Sequence, residues 1–177
     1  MIKQPPSKVL DYIKEHYRYD PDTGAISNEE GPIGHQRKSD GCIVLQLGLG
    51  TTEDGFSLQY PTYGHQVAWY LTYGVWPSKL IDHINGNRSD NRLSNLREAT
   101  CSQNAHNRRK VKKDTTSQYK GVTKVKGRWR AYISLAGKVR HLGYYPTEEE
   151  AATAYDRAAK DLHGAYCSLN LPLSIPT

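Results

Sequence analysis

The dipeptide Asn85-Gly86 separates LIDHI, a short apolar run, from the polar, asparagine-rich RSDNRLSN, and this break governs how the middle of the 177-residue chain can fold. Asn-Gly is the strongest short-range turn signal, because both residues accept positive φ. A strand must therefore end near Asp82 and His83. RSDNRLSN then reads as a loop, and LREAT, short and half apolar, as a returning strand. Thr100 followed by Gln103 forms a capping box, which opens a helix carrying Gln103, Asn104, Asn107 and Arg108. The order is strand, loop, strand, helix, and the spacing suggests a pocket.

Upstream, Ser7 can cap a helix over residues 8 to 16 with Val9, Leu10, Ile13 and Tyr17 on one face. YRYDPDTGAIS predicts a turn between short strands. DGCIVLQLGLG predicts a strand with Ile43, Leu45 and Leu47 opposite Cys42, Val44 and Gln46. A second helix covers about His65 to Tyr73, ended by Gly74 and Pro77. Downstream, RRKVKKDTTSQ lacks periodicity and reads as a linker. YKGVTKV, RWRAYISL and KVRHLGYY are three strand-like runs separated by Lys126-Gly127 and Ala136-Gly137, which fits a meander. Thr147 and Glu150 make another capping box, and the helix they open places Ala151, Tyr155, Ala158, Ala159 and Leu162 on one side before Gly164.

Composition narrows the classes. Hydrophobic residues are 37% of the chain, too few for one thick core, and no run approaches the roughly 20 apolar residues of a membrane span. With no secretion signal at the N-terminus, the expectation is a soluble protein of a bacterial or phage-infected cytoplasm, not secreted. Cys42, Cys101 and Cys167 stand singly, which supports neither a disulfide framework nor a paired-cysteine zinc site. The net charge of +6 is unevenly spread: residues 1 to 107 carry ten Lys and Arg against twelve Asp and Glu, whereas 108 to 177 carry fourteen against six. Between Arg108 and Tyr144 there are twelve basic residues and one acid, Asp114, a density suited to a polyanion.

Asp82 and His83 at a strand end, Asn95 twelve residues on and Asn104 on the following helix form a specific set. A carboxylate and a side-chain amide oxygen are hard ligands for Mg2+ or Mn2+, and an adjacent imidazole can take a proton from water near neutral pH. Phosphodiester hydrolysis needs both services. The stretch from His65 to Asn107 resembles the His-Asn-His (HNH) endonucleases with a ββα-metal motif, notably those of phages and mobile introns, over about Tyr63 to Arg108. That resemblance makes His83 the general base, gives Asp82 and Asn104 one divalent ion per active site, and has Asn95 brace the loop that aims His83. The third letter of the motif is Asn here, which favours Mg2+ or Mn2+; no structural zinc is expected. His65 reads as a packing residue that could face the cleft. His106 lies on another face of the helix from Asn104, whereas Asn107 and Arg108 share its side and could reach phosphate.

In the C-terminal part, strand alternation turns Arg128, Arg130, Tyr132 and Ser134 outward if Trp129, Ala131 and Ile133 face the helix. Such a face can enter the DNA major groove. Through YKGV, LGYY, EEAATAYDRAA, HGAY and LNLP, residues 119 to 172 resemble the DNA-binding domain of the plant Apetala and ethylene-response factors. By that likeness Lys120, Thr123, Arg128, Arg130, Tyr132, Ser134, His141 and Tyr144 meet DNA, and Tyr155 faces phosphate from the helix. Thr123, Val125, Val139 and His141 stand where plant domains carry arginines or tryptophan, so the plant target sequence does not transfer.

The expected molecule is of α+β class: an HNH module over 1–108 with extra short strands and helices, a basic linker over 109–118, and a three-stranded antiparallel sheet packed on one helix over 119–172. It would be a metal-dependent endonuclease on double-stranded DNA, of homing type by its likeness, as monomer or homodimer. A non-cleaving DNA-binding regulator is the competing expectation, and an RNA-directed protein is disfavoured.

Overall fold

The structure, a computed structural model, describes residues 2–51, 57–107, 116–135 and 137–171. The chain divides into two compact units, Met1–Cys101 and Ser102–Thr177. The basic run RRKVKKD, with Arg108 and most of the expected linker, lies outside the described residues.

The first unit opens with α1 (Ser7–His16), whose Val9, Leu10 and Ile13 are buried. Ser7 was expected to cap this helix, but Pro6 takes the capping position, and its carbonyl accepts from the N–H groups of Val9 and Leu10. Proline ends the preceding chain and leaves its carbonyl at the helix mouth, so the serine hydroxyl is not needed. Strands β1 (Arg18–Tyr19), β2 (Ile26–Asn28) and β3 (Gly31–Pro32) form a small antiparallel sheet around the Asp20–Ala25 turn. A second sheet runs β4 (His35–Gln36), β5 (Ile43–Thr51), β6 (Ser57–Tyr63), with β5 central. Leu45 and Leu47 of β5 point inward as the alternation predicts. Helix α2 (Gly64–Tyr73) follows directly and closes on Gly74, whose N–H bonds to Tyr70 O. One core joins α1, Leu45 and Leu47, Val67, Ala68 and Tyr70 of α2, and Ile81 and Leu96. Each large aliphatic side chain so buried stabilises the unit by roughly 1.5–3 kcal/mol.

On this core sits the hairpin of β7 (Leu80–His83) and β8 (Leu96–Ala99), with Asp82 opposite Arg97 and His83 opposite Leu96. The turn after His83 falls where Asn85-Gly86 demands it, with Gly86 N–H bonded to His83 O at 2.8 Å.

The second unit contains most of α3 (Cys101–His106), the meander β9 (Val122–Val125), β10 (Arg128–Leu135), β11 (Lys138–Tyr145), and α4 (Glu148–His163). Lys126 and Gly127 both have positive φ, the geometry of a two-residue hairpin turn. Thr147 Oγ1 accepts from Glu150 N, so Thr147 caps the helix as read. Ala131 and Ile133 pack on Ala151, Ala152, Tyr155 and Ala159 of α4, with Trp129 partly buried beside them. The small alanines let helix and sheet approach closely. Asp156 is buried and accepts from the N–H groups of Asn170 and Leu171, while Asn170 bonds both backbone polar groups of Lys120, which fastens the chain end to the entry of β9. The mixed, segregated arrangement is α+β. Among the described residues no helix is long and apolar enough to cross a membrane, and the three cysteines are free.

Candidate active site

The strand β7 ends on two buried polar side chains, Asp82 at 4% and His83 at 5% exposure. Burial of such groups is costly unless they are hydrogen-bonded or paired, and both are. Arg97, the cross-strand partner of Asp82, places Nε and Nη2 at 2.9 and 2.8 Å from its Oδ2. His83 Nε2 lies 3.0 Å from Oδ1 of Asn91, a residue 2% exposed. A carbonyl oxygen only accepts, so Nε2 carries the proton and the basic nitrogen of the neutral ring is Nδ1.

Asn91, the residue that holds the His83 ring, was not singled out from the sequence. Tyr19 donates its hydroxyl to Asn91 O at 2.7 Å, and Leu93 N–H bonds Pro21 O, so the β1–β2 turn docks on this loop. A Cβ on Gly64 would lie 2.7 Å from Asn91 Nδ2, and only glycine leaves room for that approach. Within DNRLSN, Asn91 looks like any solvated loop amide; no local signal marks it.

Asn95 is buried and hydrogen-bonded at both its side-chain amide and its backbone. Its Oδ1 accepts from Asn85 N, its Nδ2 donates to Asp90 O, and its backbone oxygen accepts from Ile84 N. Both limbs of the loop after His83 are thereby tied to one side chain. Asp90 also receives Arg92 and Asn85, and the Arg92 hydrogen bonds hold its carboxyl well below the usual range.

Burial pushes the His83 pKa down, against the opposing pull of the Asn91 bond and the Asp82 charge, which keeps the ring neutral at pH 7. His65 of α2 meets the His83 ring edge-on at 5.2 Å and stacks on Tyr63 at 5.3 Å. Its Nδ1 is buried without a partner among the described residues, and burial, reinforced by His83, pushes its pKa down to about 3. An unfolded histidine titrates near 6.5, so the unfolded chain binds the extra proton first as pH falls. Stability from neutral His65 is complete above about pH 6.5 and is lost progressively toward pH 3. Moving from pH 7.5 to 5 should thus cost roughly 2 kcal/mol, read as a lower urea midpoint; His65→Phe should remove most of that slope, and an unchanged slope would refute the assignment.

Asn104 lies on α3 in the second unit and is half-buried. The helix ends at His106, so Asn107 occupies the turn beyond it, buried, with its N–H on Gln103 O. His106 stacks on His163 at 3.7 Å, and its carbonyl accepts from Lys120 Nζ at 2.8 Å. Lys120 was expected on the DNA face; the structure turns it inward, where burial lowers its pKa. Tyr155 is a second correction: it was expected to face phosphate, yet it is 4% exposed, packs with Ile133 and Ala159, and burial raises its pKa. The helical periodicity that put it beside Ala151 and Ala159 describes it correctly. Arg108 lies outside the described residues.

The other sheet residues share one face. Thr123, Arg130 and Tyr144 stand in register across the three strands, and Tyr132 is opposite His141. Arg130 sits over the Tyr132 ring, His141 leans on Tyr144, and Arg128 and Ser134 are exposed. Tyr144 is 46% exposed, as a ring waiting for a wet partner would be.

Among the described residues no three His, Cys, Asp or Glu side chains converge as a metal site. The donors that do exist, one buried carboxylate and side-chain amides, fit a Mg2+-like ion, which is commonly held by one or two carboxylates plus substrate phosphate.

Comparison with known proteins follows the same division. The family description "HNH endonuclease" matches residues 62–106. An uncharacterized HNH endonuclease of Acanthamoeba polyphaga mimivirus is 37% identical over 99 residues, 55% of this chain and 50% of its own. Protein 3.8 of Escherichia phage T7 is 34% identical over 105 residues, 58% of this chain and 85% of its own. The C-terminal region is similar to APETALA2-like protein 2 of Oryza sativa, 41% identical over 68 residues, 37% of this chain and 16% of that protein. The chain thus spans half the length of the mimivirus relative and under a fifth of the plant one.

Proposed function

This chain belongs to the HNH endonuclease family, and on that premise we propose that it is a metal-dependent DNA endonuclease in which His83 is the general base. The observation that carries the proposal is the hold of buried Asn91 on His83 Nε2, which leaves Nδ1 as the basic nitrogen of the neutral ring. A water placed at Nδ1 loses its proton to the imidazole as it attacks phosphorus, and the lowered pKa keeps that nitrogen unprotonated at pH 7. Asp82, with Asn104 as the second ligand the resemblance supplies, would hold one Mg2+ or Mn2+. Such an ion, when bound, offsets charge on the phosphate and on the departing 3′-oxygen. Asn95 keeps the loop after His83 in one conformation. Arg97 holds the Asp82 carboxylate in place and must yield to or share it with the incoming cation.

The test is incubation of the protein with supercoiled and long phage DNA at low salt in Mg2+, Mn2+ or EDTA. Cleavage should need the metal, and Asp82→Ala should raise the metal concentration for half-maximal rate by about tenfold or more. Binding without cleavage by the wild-type protein on a random-site library would favour the regulator reading instead.

The C-terminal sheet is proposed to bring the nuclease to double-stranded DNA through Thr123, Arg128, Arg130, Tyr132, Ser134, His141 and Tyr144, supported by their shared face. Charge reversal of Arg128 and Arg130 together should reduce the log–log salt slope of DNA binding by about one for each phosphate no longer neutralised. A slope equal to that of the wild-type protein would show that this face is not the reader.

A further inference from the structure

A cavity of about 490 Å3 lies in the first unit against the β4–β5–β6 sheet. Alternation along β5 builds one wall: Leu45 and Leu47 point into the core, so Val44 and Gln46 stand on the opposite face, in register with Tyr63 and Pro61 of β6, and His35 of β4 pairs with Val44. The lining brings together two basic side chains, Lys3 and His35, with Arg37, whose guanidinium is already paired with Asp40, and the rings of Tyr60, Tyr63 and Trp76. Gln46 and Gln66 add side-chain amides, and among the described residues no carboxylate lines the cavity. The buried indole N–H of Trp76 has no acceptor in the protein among the described residues. Basic groups call for an anion, aromatic walls for a flat ring, and amides for a ligand with hydrogen-bonding edges; a nucleotide has all three, and the volume suits one.

The cavity also connects with the site already described. Arg37 lies over the Tyr63 ring at 5.1 Å and donates to its hydroxyl, Tyr63 stacks on His65, and His65 meets the edge of His83. Two ring contacts therefore separate the cavity wall from the general base. We propose that this cavity receives one nucleotide of the DNA strand that His83 cuts, its base against the aromatic wall and its phosphate toward Lys3 and His35. The proposal rests on DNA being the substrate. It gives the sheet of the first unit a task in substrate binding that is separate from the C-terminal sheet.

Photocrosslinking of the full chain to bromodeoxyuridine-substituted duplex and single-stranded DNA in EDTA, with mass-spectrometric mapping of the modified peptides, tests it without needing cleavage. Crosslinks are expected in the peptides holding Tyr60 and Tyr63 or Trp76. Gln46→Trp, which fills the cavity, and His35→Glu, which reverses its charge, should remove those crosslinks and weaken DNA binding about tenfold. Both positions are exposed, so the fold should survive, and unchanged circular dichroism and melting would show it. Crosslinks confined to the C-terminal peptides, or pocket variants with wild-type affinity, would overturn the proposal. Deoxynucleoside monophosphate that displaces the pocket crosslinks while leaving DNA affinity intact would also overturn it, since the occupant would then be a free nucleotide. Cleavage assays on the same preparations keep the two readings apart: cutting without pocket crosslinks sinks only the pocket, and pocket crosslinks without cutting sink only the nuclease.

Discussion

Replacing His83 by alanine is expected to slow DNA cleavage by about 10³-fold while leaving affinity measured in EDTA within about twofold. The ring is buried at the end of β7 and bonds to Asn91 through Nε2, so the substitution removes the proposed proton acceptor at Nδ1 and leaves the backbone of the hairpin in place. Truncation also strips Asn91 Oδ1 of its partner, and a small loss of stability, about 1–3 kcal/mol, should accompany the kinetic effect. Asn91→Ala is the informative companion. It spares the imidazole but frees the ring to rotate and exchange tautomers, so kcat should fall about ten- to a hundredfold with KM little changed. A purely structural asparagine would lower the melting temperature and leave kcat per folded molecule alone. Single-turnover rates at saturating protein, beside gel shifts in EDTA, separate these outcomes, and a His83 variant that turns over at the wild-type rate would end the proposed mechanism.

Gly121→Ala should strongly destabilise the second unit. Gly121 has φ +71°, which alone costs an alanine about 1 kcal/mol. A Cβ there would lie 2.1 Å from the Tyr155 ring and 2.5 Å from Tyr132 O, both fixed by the sheet-to-helix packing. Overpacking of that kind adds roughly 1–3 kcal/mol or more, a large part of the stability of so small a core. Gly127→Ala is the control, since it has a similar φ of +82° but nothing within 4 Å, and should cost only the backbone term. Hydrogen exchange of the β9–β11 amides should collapse in the first variant and barely change in the second, with DNA affinity following. Equal effects would show that the Tyr155 ring is not what makes glycine necessary.

Much of this molecule is legible from local chemistry. The turns at Asn85-Gly86 and Lys126-Gly127, the Thr147 helix cap and the alternation of Trp129, Ala131 and Ile133 each depend on neighbours a few residues away, and each forms as read. Asp82 and His83 fall at a strand end for the same reason. What escaped depends on distant partners. Asn91 becomes a partner of His83 only because Tyr19 and Gly64 close around it. Lys120 turns inward because the carbonyl of His106 is waiting there. Tyr155 had two readings, one from helical periodicity and one from family likeness, and its burial among alanines follows the periodicity. A charged or aromatic side chain on a basic segment is easily assigned to the ligand when the protein itself is its partner.

The dependence of Asn91 on Tyr19 and the Pro21 turn limits what can be moved between proteins. The family match begins at residue 62, yet the asparagine that holds the His83 ring is gripped by chain more than forty residues earlier. A graft of the matched segment alone would carry every motif letter and still lose its aim. On the proposed mechanism the region before β6 is part of the cutting machinery, and a transplantable cassette has to include it.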